Sequence, residues 1–298
     1  MTAGPKDRRR CLPAVFVILL VLAALVRPAS AGGFDHGLLW KIEGAAARPS
    51  YLFGTIHSED PRVTRLAAPV ARAFEQASRV TLEVPLDSAT LVSLSAAMMF
   101  TDGRGLQAVV GDRLYRRAVQ AMAGYSMPEL LVAQMKPWAV ATTLMVPEPT
   151  TGVMLDIMLY QRAVSAGKQV DGLETVDEQI SIFDDMTDAQ QVTLLEDTLA
   201  NLSNIGRQND ALLAAYLQRD LGRLMELNEQ SMNMGDRRLA DTLNKRAIVE
   251  RNHRMAERME SRLRQGNAFI AVGALHLPGP EGLLSLLKQK GYRVSVVY

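Results

Sequence analysis

Two short apolar runs, one near each end of the chain, are followed at matched spacing by a glycine, a histidine and a proline. These residues are Gly54, His57 and Pro61 in YLFGTIHSEDP, and Gly273, His276 and Pro280 in FIAVGALHLPGP. A short apolar run that ends at glycine is typical of a buried strand. A proline four residues after the histidine suits the first turn of a helix. The pattern therefore predicts two related units, each a strand, a turn that carries a histidine, and a helix.

Alternating and periodic stretches predict the other elements. The predicted strands are Leu38–Glu43, Tyr51–Ile56, Arg79–Val84, Lys168–Leu173, Ala268–Val272 and Tyr292–Val297. The predicted helices include Pro61–Ala77 with Asp60 as its N-cap, Gly152–Ala166, Leu239–Arg264 and Pro280–Lys290. We expect a hairpin from the first two strands and a parallel βαβ unit from the second to the third.

These elements predict an α/β fold. Its central mixed sheet is built from the N- and C-terminal segments, with the two histidine units as pseudo-repeats. We expect a single domain over residues 32–298, with a large helical insertion at about 87–166 and further helices at about 176–265. The strand order does not follow from the pattern.

The N-terminus has the pattern of a secretory signal peptide over residues 1–31. Basic residues precede an apolar run, Leu12–Val26, and Ala29–Ala31 offers small residues for cleavage. We expect a periplasmic or secreted protein with no stable membrane span after cleavage; an uncleaved anchor is the alternative. Cys11 is the only cysteine, so the mature protein would have neither disulfides nor thiolate metal ligands.

Composition narrows the function further. The formal net charge of +1 gives no electrostatic case for nucleic-acid binding. The 15 methionines either fill the core or line an adaptable apolar groove for a peptide or lipid-like ligand.

The candidate chemistry lies at the carboxyl ends of the predicted strands, where open α/β sheets bind ligands. His57, Glu83, Glu174 and His276 all fall there. Two imidazoles with added carboxylates suit a divalent cation such as Mn, Co or Zn. We therefore predict His57, His276 and Glu83 as metal ligands, with Glu83 alternatively a general base. Glu174 either helps to orient the site or complements the N-terminus of the next helix.

These motifs resemble the TraB/GumN family, which includes the Tiki metalloproteases. The resemblance is carried by SYLFGTIH, Leu82-Glu83, KPW, the helix around Asp156, GLET with Gln179, Arg251-Asn252 and VGALHLPGPEGLLSLLKQKGYRV. It implies a core fold similar to that of erythromycin esterases and haem-binding ChaN-like proteins. It also implies metal-dependent protease activity that depends on His57, His276 and Glu83. Because of the resemblance we add Arg251, which could reach over the rim to bind a carboxylate or an oxyanion.

Three functional hypotheses follow. The leading one is a secreted metal-dependent hydrolase that acts on a peptide or a small acyl substrate. The second is a metal-independent esterase in which a histidine–glutamate pair activates water. The third is a non-catalytic protein that binds haem or a hydrophobic peptide. The substrate, the metal and the oligomeric state do not follow from the sequence.

Overall fold

The computed structural model describes residues 34–298, so the predicted signal peptide lies outside the described residues. The strands are β1 (Leu39–Glu43), β2 (Ser50–Thr55), β3 (Arg79–Leu82), β4 (Gln169–Gly172), β5 (Ala268–Gly273) and β6 (Arg293–Val296). They form one sheet in the order β4-β3-β5-β2-β1-β6. The mixed α/β fold is therefore confirmed, while the single domain expected over residues 32–298 stays a prediction.

Four neighbouring strands of this sheet, β4, β3, β5 and β2, run parallel to one another. Strand β1 forms the predicted hairpin with β2 and is antiparallel to β6 on its other side. The two strands of the predicted pseudo-repeat, β2 and β5, are direct neighbours. The carboxyl ends of all four parallel strands consequently lie along one edge of the sheet.

Helices make up most of the remaining described chain. They are α1 (Pro61–Thr64), α2 (Ala68–Gln76), α3 (Ser88–Ala97), α4 (Leu106–Met122), α5 (Glu129–Val132), α6 (Pro137–Leu144), α7 (Leu155–Ser165), α8 (Val176–Asp184), α9 (Asp188–Ala200), α10 (Leu202–Leu217), α11 (Leu221–Met232), α12 (Arg237–Asn244), α13 (Arg251–Gln265) and α14 (Leu283–Gln289). A π-helical segment, Lys245–Glu250, joins α12 to α13. Between residues 34 and 298, no helix combines the length and apolar composition that crossing a membrane requires.

The predicted helix Pro61–Ala77 is wrong as a single element. Asp60 caps its start as expected, since its carboxylate accepts a hydrogen bond from the Arg62 backbone N–H. The helix stops at Thr64 and a second one begins at Ala68. Pro69 explains the break, because proline has no N–H to continue the helical hydrogen-bond ladder.

The second predicted histidine unit also differs in its local structure. His276 ends a short 3₁₀ turn, Ala274–His276, and the following helix begins at Leu283 rather than at Pro280. Gly279 has a φ angle of 87°, a left-handed conformation that favours glycine. Gly282 then serves as the N-cap. This glycine-bounded turn delays the helix by three residues.

The apolar side chains form two main clusters within the described residues. One covers the sheet and includes the edge-to-face pair of Phe74 and Phe269, whose ring centroids are 5.3 Å apart. The other lies among the helices and includes Trp138, stacked on Phe183 at 5.6 Å. Buried methionines such as Met122 fill this helical cluster, as the core-filling interpretation predicts.

Candidate active site

The four predicted site residues follow the four neighbouring parallel strands. His57 follows β2, His276 follows β5, Glu83 follows β3 and Glu174 follows β4. Gly54 allows the two histidine units to pack closely, because a Cβ atom there would lie 3.1 Å from the Ala274 Cα atom. The fold thus brings all four residues to one rim of the sheet.

His57 is oriented by a carboxylate from the first turn of α7. Its Nδ1 atom lies 3.0 Å from Asp156 Oδ2, and Asp156 Oδ1 accepts a hydrogen bond of 2.7 Å from the Thr55 hydroxyl. A carboxylate partner favours the tautomer that carries the proton on Nδ1. In this tautomer the Nε2 atom has the lone pair that a cation would need.

His276 is oriented in a similar way by an amide. Its Nδ1 atom lies 2.6 Å from Asn252 Oδ1, while Asn252 Nδ2 donates to the Glu281 carbonyl at 2.7 Å. That second bond fixes the amide orientation, so Nδ1 of His276 must be the donor. The side chain is fully buried, and its Nε2 atom makes no hydrogen bond with the described residues. It faces Glu83 Oε1 at 3.6 Å.

Glu83 is held in its ionised form beside His276. Its Oε2 atom accepts from Arg251 Nη2 at 2.6 Å and from Gln179 Nε2 at 3.2 Å, and its Oε1 atom accepts from the Gly273 backbone N–H at 2.7 Å. Burial alone would raise its pKa, but the charge of Arg251, with the other donors, lowers the pKa to about 2. Glu83 therefore brings a fixed negative charge to the rim.

The sequence suggested that Arg251 could reach over the rim, but the structure places it elsewhere. Its side chain is fully buried beneath the rim and bridges two carboxylates. It donates to Glu174 Oε2 from Nε at 2.8 Å, in addition to its bond with Glu83. Glu174 is equally buried, and Arg254 Nη2 binds its other oxygen at 2.7 Å. Thr175, not Glu174, caps the following helix.

Helix α13 supplies three of these partners, Arg251, Asn252 and Arg254. Arg254 is three residues beyond Arg251 and so lies on the same side of the helix, a spacing that could have identified it in the sequence. Asn252 faces His276, whereas the intervening His253 is half exposed and pairs with Glu281. The π-helical segment ends directly before Arg251. Such insertions change the helical phase and are frequent at functional sites.

The nitrogen and oxygen atoms at the rim are of the kinds that bind a divalent cation, but they do not form a complete set of ligands around one point. Among residues 34–298, no group of three or more His, Cys, Asp or Glu side chains is placed to hold a metal ion. The observation in favour is the buried Nε2 atom of His276, which makes no hydrogen bond with any residue that the structure describes and lies 3.6 Å from Glu83 Oε1. An imidazole lone pair beside an ionised carboxylate is a normal pair of ligands for Mn, Co or Zn.

A cleft leads from the surface to His57. It encloses about 890 Å³, part of it open to solvent. Its walls include Met145, Val146, Leu212 and Leu213, and its floor includes the β5–His276 connection at Ala274. His57 is 19% exposed here, while His276 is fully buried. A substrate would consequently meet His57 first.

The burial of His276 predicts a pH-dependent stability. Burial first, and then the charge of Arg251, lower the pKa of His276 from 6.5 to about 3. Between these values the unfolded chain binds a proton that the folded protein does not, so stability falls as the pH falls from 6.5 towards 3. One proton gives a slope of up to about 1.4 kcal/mol per pH unit.

Chemical denaturation of the metal-free protein between about pH 7 and pH 5 measures this slope, because few carboxylates titrate there. We expect the His276→Gln variant to lose most of the slope. The matched control is His253→Gln, which changes an exposed histidine and should keep the wild-type slope. Equal slopes in the wild type and the His276 variant would contradict the assignment.

Comparison with known proteins finds related sequences over most of the chain. A family model described as the TraB/PrgY/gumN family matches residues 38–296. Metalloprotease TIKI2 of Danio rerio is 26% identical over 314 residues, covering 87% of this chain and 61% of the relative. Metalloprotease TIKI1 of Homo sapiens is 26% identical over 313 residues, covering 87% and 62%. The chain spans about three-fifths of the length of these relatives. No solved structure matches the chain significantly.

Proposed function

The chain belongs to the TraB/PrgY/gumN family, and on that premise we propose that it is a divalent-metal-dependent hydrolase that cleaves peptide bonds. The relatives named metalloproteases support this proposal. The predicted signal peptide supports a periplasmic or secreted location for the activity.

The observation that carries the proposal is the matched support of the two histidines. Asp156 and Asn252 each occupy the Nδ1 side of one imidazole, so both rings would present Nε2 to a cation. Metal-binding histidines in proteins usually have such a partner on the other ring nitrogen, because it fixes the tautomer and the ring orientation. Within residues 34–298 the buried Nε2 atom of His276 makes no hydrogen bond, which a purely structural role would not require.

Each rim residue then has a defined task. His57 and His276 would bind the cation through Nε2, and Glu83 would bind it or face it through Oε1. Arg251 keeps Glu83 ionised and in place. A bound divalent cation would supply the positive charge that polarises a peptide carbonyl and lowers the pKa of water. Peptide binding from the cleft would place the reacting carbonyl beside His57.

The electrostatics of the rim favour this function over a metal-independent esterase. A general base works best when its pKa lies near the working pH. The pKa values of Glu83 and His276 are lowered to about 2 and about 3, so both are weak bases at neutral pH. A histidine–glutamate pair of this kind suits cation binding better than proton abstraction. Haem binding through His276 has less support, since that side chain is fully buried.

Chelation followed by metal replacement tests the proposal. The purified protein is incubated with a mixed peptide library, and the products are identified by mass spectrometry. We expect cleavage to stop after exhaustive chelation and to return with Mn, Co or Zn, since Glu83 and His276 are weak bases at neutral pH. Cleavage that survives chelation would overturn the metal-dependent mechanism and favour the esterase hypothesis.

A further inference from the structure

A second cleft lies beside the one that contains His57. It encloses about 780 Å³ and lies among α9, α10, α11 and α12. Met145, Asn209 and Leu212 line both clefts. The two clefts therefore lie side by side along α10, and we name them together the α10 groove.

Helix α10 gives the groove its length. Ile205, Gln208, Asn209 and Leu212 are spaced i, i+3, i+4 and i+7, so they lie on one face of the helix. The lining runs from Asn201, just before the helix, to Leu213. Twelve residues at 1.5 Å each give roughly 18 Å. An extended polypeptide rises about 3.3 Å per residue, so about five residues fit this length.

The lining chemistry identifies the class of occupant. Met145, Met232 and Met234 contribute flexible apolar side chains that adapt to different ligand shapes. Amide side chains at Asn201 and Gln208 could bond a peptide backbone. The charged residues that line the groove in the described chain are Asp197, Asp210 and Asp236, alongside His57; no lysine or arginine does so.

We propose that the α10 groove binds about five residues of an extended, apolar polypeptide, neutral or basic rather than acidic, on one side of the bond that is cleaved beside His57. The cleavage step in this inference rests on the proposed function, whereas peptide binding is inferred from the residues that line the groove. Apolar burial along α10 provides the affinity, and the three aspartates disfavour acidic segments. The groove thus determines which segments of a protein substrate reach the rim.

Peptide binding tests the groove apart from catalysis. The probe is a fluorescein-labelled pentapeptide of leucine and methionine with one lysine, and fluorescence anisotropy measures its affinity for the full chain. Mass spectrometry confirms that the peptide stays intact. Ile205→Glu should weaken binding at least ~10-fold, because the added carboxylate must be desolvated in an apolar cleft. The matched control, Leu202→Glu, changes a solvent-exposed position of the same helix and should bind as the wild type does.

A second series tests length and charge. We expect affinity to rise as the peptide grows from two to five residues, and to fall when its lysine is replaced by glutamate. Asp210 is an exposed residue that lines the groove, and Asp210→Asn should reduce the difference in affinity between the lysine-containing and the glutamate-containing peptide. Equal binding by wild type and Ile205→Glu would overturn the groove proposal even if hydrolysis occurs. Binding that follows these expectations in a protein that cleaves nothing would leave the groove in place and overturn the proposed function instead.

Discussion

Replacing Arg251 by methionine should destabilise the protein by about 3–5 kcal/mol, since breaking a buried ion pair leaves an uncompensated charge. Arg251 is fully buried and contacts Glu83 and Glu174, which lie 2.6 Å and 2.7 Å from its Nη2 atom. Methionine keeps much of the side-chain volume but provides no donor. Both carboxylates would lose their shared counter-charge, and only Glu174 would retain another, from Arg254.

Urea denaturation of the Arg251→Met variant measures this effect. The control is Arg264→Met on the same helix, which removes an exposed pair with Glu260 and should cost no more than about 1 kcal/mol. If Arg251→Met does not fold, Arg251→Lys keeps the charge but loses the planar fork of donors and should show an intermediate loss. A stability within 1 kcal/mol of wild type in Arg251→Met would contradict the assigned role.

The His57→Ala, His276→Ala double variant should lose at least ~100-fold in the rate of peptide hydrolysis. Removing only the hydrogen-bond partner of a metal-binding histidine already lowers metal affinity or activity by about 10–100-fold. Both imidazoles belong to the rim and are held by separate partners, Asp156 and Asn252. Removing both leaves Glu83 as the remaining proposed ligand, and Arg251 already occupies one of its oxygens.

Two controls keep this prediction specific. His253→Ala changes an exposed histidine on α13 and should retain full activity. Circular dichroism and thermal unfolding of the double variant show whether the fold survives, which separates lost chemistry from lost structure. Wild-type hydrolysis rates in a folded double variant would exclude both histidines from the reaction.

The sequence predicts the rim well because its signals are local. Each histidine follows an apolar run and a glycine at short range, Glu83 directly follows β3, and Glu174 comes two residues after the end of β4. Parallel strands bring their carboxyl ends to one edge, so chain position alone places these side chains together. The β1–β2 hairpin is predicted for the same reason, since its two strands are close in the sequence.

The support around the rim depends on contacts between distant residues, which no local pattern shows. Arg251 meets Glu83 across 168 positions and Glu174 across 77, and His57 meets Asp156 across 99. The spacing of Arg254 from Arg251 was the one local clue available.

The late start of α14 has a different cause. Pro280 in the sequence is typical of a first helical turn, as Pro61 proves to be in α1. The glycines on either side of Pro280, Gly279 and Gly282, instead form a turn with a left-handed residue. Matched spacing therefore predicts the two strands and the start of the helix after His57, but not the turn that delays the helix after His276.

The metal content of the purified protein tests the central claim most directly. Elemental analysis is applied to protein prepared without chelator or metal-affinity tag, beside the His57→Ala, His276→Ala double variant. The account predicts about one equivalent of Mn, Co or Zn per chain in the wild type, and its loss in a folded double variant. No metal in either protein, even after loading with all three cations, would contradict the metal-dependent function.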